Sequence, residues 1–140
     1  MPVRAKEFRY EVALDRAGRF TSEDCEPLEP GESWTADHLL LAALVRCTLT
    51  SLRFHAQRRE IAVDGSGRAR GLVTRRDEDG RYALVDVDCE LEVELTPAPP
   101  DETATAELLA LAERDCFIGA SLRASPRYRW TVNSVPAAPS

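Results

Sequence analysis

Residues 39–45 read LLLAALV, seven apolar side chains in succession inside the longer segment HLLLAALVRCTLTSLRF. At about 100° per residue they occupy every face of two helical turns. A helix that is apolar all round cannot rest on a surface; it needs cover on several sides. The pattern predicts a helix from about Ala36 to Gln57, with Thr35 or Ser33 as N-cap and Asp37 in the first turn, where the helix dipole favours an acid. The apolar run is far too short to cross a bilayer, and residues 1–20 hold no apolar leader. No membrane partner is expected, and a cytoplasmic setting keeps thiols reduced.

The remaining elements must supply the cover. Residues 8–14, FRYEVAL, alternate with period two and predict a half-buried strand, followed by the turn DRAGRF and a second strand near residues 19–21. After the central helix come a short strand at 61–63 and the sequence DGSG, read as a turn. Residues 68–76 and 81–96 flank DEDG and predict a β-hairpin. Its second arm alternates strictly: Ala83, Val85, Val87, Cys89, Leu91, Val93 and Leu95 on one face, Asp86, Asp88, Glu90, Glu92 and Glu94 on the other. One face is core and the other solvent. TPAPP ends the sheet, TATAELLALAERDCFIGASL returns to helix, and a last strand is expected at 128–133. The fold class is therefore α+β, in one domain over residues 1–135 with a flexible tail at 136–140. The exposed requirements of the central helix and the weakness of an isolated hairpin point to a homodimer.

The formal charge of −6 opposes nucleic-acid binding, which needs cationic surface against phosphate. The four cysteines have no CxxC spacing, and His38 and His55 complete no zinc pattern, so no metal site is expected. Cys25 lies among Glu23, Asp24 and Glu26, which disfavour a thiolate. Cys89 occupies an inward strand position and reads as a small core residue. Cys47 shares a helix face with Leu40, Ala43, Leu44, Ser51 and Phe54, a setting that on helix position alone favours an inert buried thiol. Cys116 follows Glu113, Arg114 and Asp115 where a helix breaks. If Asp115 or Cys116 caps a new helix, the free amides there favour a thiolate.

Three segments together resemble the OsmC/Ohr family of thiol-dependent peroxidases: WTADHLLLAALVRCTLTSL, then LALAERDCFIGASL about seventy residues on, then YRWTVN. The resemblance runs in order over nearly the whole chain. It implies an intertwined homodimer of α+β subunits that reduces organic hydroperoxides without a bound cofactor, drawing on an external thiol reductant such as a dihydrolipoyl group. It assigns Cys47 as the peroxidatic thiol and Cys116 as the resolving one. It further implies an arginine from the first turn, Arg16 with Arg19 in reserve, and a carboxylate at the start of the central helix, Asp37. The chain departs from the family pattern in carrying Phe117 where proline commonly follows the second cysteine, and Asp37 where glutamate is usual.

In the implied chemistry a guanidinium favours the Cys47 anion, and a carboxylate orients the guanidinium. Cys47 attacks the peroxide and becomes a sulfenic acid, which Cys116 converts to a disulfide. Asp37 and Cys47 are ten residues apart, about 15 Å along a straight helix. Asp37 could therefore assist Cys47 only from a second subunit or through a bent helix; otherwise it complements the helix N-terminus. Two further classes stay open on the same residues: a redox sensor or binder of a hydrophobic small molecule, and an interaction protein with four inert thiols.

Overall fold

A helix coated with leucine on all sides can be seated closely only on a surface without side chains, and this chain provides one. The computed structural model describes residues 4–138, in two compact units: the residues through Thr35, and those from Ala36 onward. In the second unit, α1 (Ala36–Gln57) is followed by β3 (Ala62–Arg75), β4 (Tyr82–Thr96), α2 (Glu102–Arg114), α3 (Phe117–Ser121), β5 (Arg127–Val132) and β6 (Val135–Pro136). The first unit holds β1 (Ala13–Leu14) and β2 (Phe20–Thr21). The expected α+β order of hairpin, central helix, hairpin, helix and strand is what the chain adopts.

DGSG is not a turn. It lies inside β3, which pairs without interruption from Ala62 opposite Thr96 to Leu72 opposite Asp86. A Cβ on Gly65 would stand 3.1 Å from Leu49 Cδ2, one on Gly67 3.1 Å from Val45 Cγ1, and one on Gly71 3.4 Å from Leu41 Cδ2. Leu41, Val45 and Leu49 are spaced i, i+4, i+8 and form one stripe of α1. These glycines admit the close approach of the helix; left-handed backbone is not what they provide. A glycine-containing strand and a glycine turn read alike in sequence, which is why the expectation failed.

β3, β4, β5 and β6 form one sheet in that order: β3–β4 antiparallel, β4–β5 parallel, β5–β6 antiparallel. The alternation of β4 holds where it matters, with Val87, Cys89, Leu91, Val93 and Leu95 buried. A register shift beside Leu72 and Val73 ends the strict pattern toward Tyr82. α1 packs on β3 by one flank and on α2 and α3 by the other. Its deepest stripe is Leu44, Thr48, Leu52 and Ala56, all fully buried. In length and composition α1 equals a membrane span, but Asp37, Arg46 and Arg53 interrupt it and a sheet covers one flank. Asp101 caps α2, its Oδ1 accepting from the Ala104 amide at 2.8 Å.

Two other expectations are revised. Only Ala13 and Leu14 of residues 8–14 are strand, and Phe8, Tyr10, Val12 and Leu14 are exposed. Asp15 organises the turn by accepting from the Ala17 and Arg19 amides at 2.9 and 3.0 Å, and the pairing dies out just beyond it. On its other side β2 bridges only to Leu28, and so short a ribbon does not hold residues 8–12 as strand. At the other end Val135 and Pro136 form β6, and the Ala137 amide donates to the Trp130 carbonyl at 2.9 Å. Residues 139 and 140 of the expected tail, like residues 1–3, lie outside the described residues.

Trp130 Nε1 donates to Glu113 Oε2 at 2.9 Å and ties β5 to α2. Burial lifts the Glu113 carboxyl above its ordinary value, opposed by that Trp130 bond. An acid with a raised native pKa holds its proton longer when folded, so stability falls as pH rises from the unfolded value through the native one. Glu113→Gln keeps an acceptor for Trp130 and should flatten that fall, read from urea midpoints between mildly acidic and neutral pH. Leu44→Ala, in the fully buried stripe, should cost about 2–5 kcal/mol in the same titration.

Candidate functional site: a buried thiol pair

Arg114 ends α2, and Asp115 is its C-cap, with the Asp115 amide donating to the Leu111 carbonyl at 3.0 Å. The Asp115 carboxylate accepts from Arg114 Nε and Nη2, both at 2.9 Å, and meets His55 Nε2 of α1 at 2.7 Å. Arg114 first, then His55, holds this carboxyl below its ordinary value. The hinge between α2 and α3 is thereby anchored to the last turn of α1.

Cys116 comes next, in extended backbone, and is the N-cap of α3. Its sulphur fills the position usually given to a serine or threonine oxygen, accepting from the Gly119 amide at 3.4 Å. The Ala120 amide donates to the Cys116 carbonyl at 2.9 Å. Cys116 is fully buried.

Cys47 lies on the flank of α1 that faces α3 and is half-buried. Its sulphur neighbours the Cys116 thiol and the backbone amides of Ile118 and Phe117. Burial pushes the Cys47 thiol above its ordinary pKa; the Ile118 amide draws it down, and Cys116 pushes it up again. Of the two sulphurs, one is reachable and the other shut in.

Three further groups close round Cys116. Thr48 Oγ1 lies 3.5 Å from its sulphur and donates to the Leu44 carbonyl at 2.8 Å. Cys89 of β4 is pushed up to about 11 by burial. Tyr128 of β5 is the parallel-register partner of Cys89, and its hydroxyl has Cys116 and Thr48 as polar neighbours. Thr48, Gly119 and Tyr128 were not singled out from sequence. Thr48 adjoins Cys47 and Gly119 stands three residues past Cys116, but only the parallel pairing of β4 with β5 brings Tyr128 to them.

Of the residues expected from sequence, Cys47 and Cys116 come together. Asp37 is exposed in the first turn of an unbroken α1, about 15 Å along the axis from Cys47. Arg16 and Arg19 belong to the other unit. Arg16 is exposed in the turn, and Arg19 Nε donates to Asp15 Oδ2 at 3.3 Å. Cys25 is exposed, and Cys89 is in the core as expected. Among the described residues no group of three His, Cys, Asp or Glu side chains is placed to hold a metal ion.

The sequence profile of the OsmC-like proteins matches residues 29–131. No curated protein matches the chain. Among solved structures, an OsmC-like protein of unknown function from Vibrio cholerae superposes with a TM-score of 0.65 at 16% identity, covering 87% of this chain and 84% of that one. An OsmC-like protein from Mycoplasma pneumoniae gives 0.63 at 16%, covering 93% and 98%. The organic hydroperoxide resistance protein OhrB of Bacillus subtilis gives 0.57 at 19%, covering 90% and 98%.

If the neighbouring sulphur helps hold the Cys47 proton, Cys116→Ser should shift iodoacetamide labelling of Cys47 to lower pH. The midpoint should still exceed that of an ordinary thiol, because burial is the larger cause. Peptide mass mapping across a pH series checks both statements.

Proposed function

The chain belongs to the OsmC-like protein family, and on that membership we propose that it is a cysteine peroxidase that reduces organic hydroperoxides to alcohols. The observation that carries the reading is the meeting of Cys47 on α1 with Cys116 at the start of α3, one sulphur half-exposed and the other fully buried. Cys47 attacks the outer oxygen of the peroxide, the O–O bond breaks, and an alkoxide leaves to be protonated as alcohol. Cys47 is left as a sulfenic acid. Cys116 then attacks the Cys47 sulphur, and water departs as the disulfide forms. An external dithiol such as a dihydrolipoyl group returns both cysteines to thiols by exchange.

The attacking species is an anion, whereas the resting Cys47 is held protonated by burial. Two amides, those of Ile118 and Phe117, already favour the anion; a cation would complete the shift. Arg16 is the group we assign to that task, with Arg19 in reserve, and Asp37 of a second subunit is the carboxylate that orients it. The site is then composite, in a cytoplasmic homodimer. Leu44 and Ile118, in the apolar cluster that also takes in Cys47 and Cys116, suit an organic peroxide better than hydrogen peroxide, which gains little from a hydrocarbon wall.

The raised Cys47 pKa also favours a second reading, a redox sensor or a binder of a hydrophobic small molecule on the same fold. Turnover separates the two. With cumene hydroperoxide and a dithiol, wild type should turn over repeatedly, and one equivalent of peroxide should remove two hydrogens at Cys47–Cys116. Cys47→Ser should lose activity by at least about 1,000-fold. Cys116→Ser should complete one reduction and then accumulate Cys47 sulfinic acid. Full turnover by Cys47→Ser would refute the reading; unmodified wild-type thiols would leave the sensor or binder. Arg16→Ala should raise the pH at which Cys47 reacts, and an unchanged profile moves the task to Arg19.

A further inference from the structure

The Tyr128 hydroxyl is an expensive group for a core to keep. It is shut from solvent and has no hydrogen-bond partner at standard geometry, and a phenylalanine would fill the same space without that cost. The chain also makes room for it. A Cβ at Gly119 would lie 2.5 Å from the Tyr128 oxygen and 3.5 Å from Cys116 Sγ, so oxygen and sulphur share the space that this glycine leaves open. From the geometry of that pocket we propose that the Tyr128 hydroxyl donates a hydrogen bond to the Cys116 sulphur as it becomes an anion, and so speeds disulfide formation with Cys47.

The other donors near this sulphur leave the role open. The Thr48 hydrogen is committed to the Leu44 carbonyl at 2.8 Å, so at 3.5 Å its oxygen accepts from the Cys116 thiol instead. The Gly119 amide reaches the sulphur at 3.4 Å, a long bond made as part of the helix cap. Tyr128 remains, and it keeps its proton: burial, then the neighbouring Cys116, lifts its pKa far above the ordinary phenol value. A phenol that keeps its proton has a hydrogen to offer that sulphur. Unpaired in the resting structure, it can turn that hydrogen to the sulphur when the anion forms.

The proposal rests on the peroxidase reading for its natural substrate. In that reaction the Cys116 sulphur supplies the electron pair of the new S–S bond, and the S–O bond of the Cys47 sulfenic acid breaks. The oxygen leaves with the Cys116 proton as water. Cys116 is oxidised from thiol to disulfide, and Cys47 is reduced from sulfenic acid to disulfide. Tyr128 exchanges no atom.

The test separates the two sulphurs without needing a peroxide. In a Cys25→Ser background, which silences the exposed thiol, 2,2′-dithiodipyridine should release one thiopyridone when Cys47 attacks. A second follows when Cys116 displaces the first adduct. Tyr128→Phe should leave the first phase within about twofold and slow the second by about tenfold or more. Its melting temperature should be unchanged or higher, because an unpaired buried oxygen is gone. Gly119→Ala keeps the phenol but pushes it from its place, and should slow the second phase likewise, which decides the matter if Tyr128→Phe does not fold. An unchanged second phase, an equal slowing of both, or a lowered melting temperature with both slowed would overturn the assignment. With cumene hydroperoxide, Tyr128→Phe should divert Cys47 to sulfinic acid. If wild type ignores the peroxide yet the second phase still depends on Tyr128, the peroxidase reading fails and the role of Tyr128 stands.

Discussion

The seating of α1 on the glycines of β3 governs the second unit. Side chains at residues 65, 67 and 71 would collide with the sheet and the helix together. The Cβ positions lie 2.9 Å from Val93 Cγ1, 2.9 Å from the Glu90 carbonyl and 2.7 Å from Leu84 Cδ2. With those side chains absent, the stripe Leu41, Val45 and Leu49 settles into the sheet. The rotation of the helix is then fixed, because successive residues differ by about 100°. Thr48 points into the core, and Cys47 turns to the flank left for α2 and α3. Had β3 carried valines, the helix would stand further off and the thiol would meet another neighbour.

The same rotation divides the labour of the two sulphurs. Cys47, at the edge of the deep stripe, keeps a way to solvent, while Cys116 has none. A small oxidant or an external thiol meets Cys47 first, and the second sulphur waits behind it. Burial raises the cost of the Cys47 anion, so the polar groups on this wall carry unusual weight. Amides of α3 face Cys47, and Thr48, Gly119 and Tyr128 face Cys116. The hinge that bears Cys116 is held in turn by Asp115, between Arg114 and His55.

Much of this was legible in the chain, and the failures have a common cause. The strict alternation of residues 83–95 gave β4 and its buried face, and the polar break ERDC gave the hinge before Cys116. Both signals are local, because each element carries its own period or its own stop. DGSG failed because a glycine that avoids a clash looks the same as one that makes a turn. Residues 8–14 failed in the opposite sense: their alternation is real, but a strand needs a partner, and in that unit pairing extends no further than Ala13. Thr48, Gly119 and Tyr128 were out of reach because their meaning lies in the parallel register of β4 with β5, across more than thirty residues of chain.

Register also explains why, in the proposed reaction, Cys116 and not Cys89 suits the second step. Cys89 lies in the centre of the sheet, paired with Ala69 on one side and Tyr128 on the other. Its backbone cannot move without breaking two ladders, and burial raises its thiol pKa to about 11. A disulfide requires the two Cα atoms to close to roughly 4.4–6.8 Å with a fixed torsion, so one partner must yield. Cys116 stands at a helix boundary, where a two-residue hinge separates α2 from a five-residue α3. There the backbone can rotate while the core of α1 and β4 stays packed. A half-exposed sulphur on a long helix, a buried one at a helix boundary and a buried one in the sheet are three settings for one side chain. The backbone beneath each decides among them.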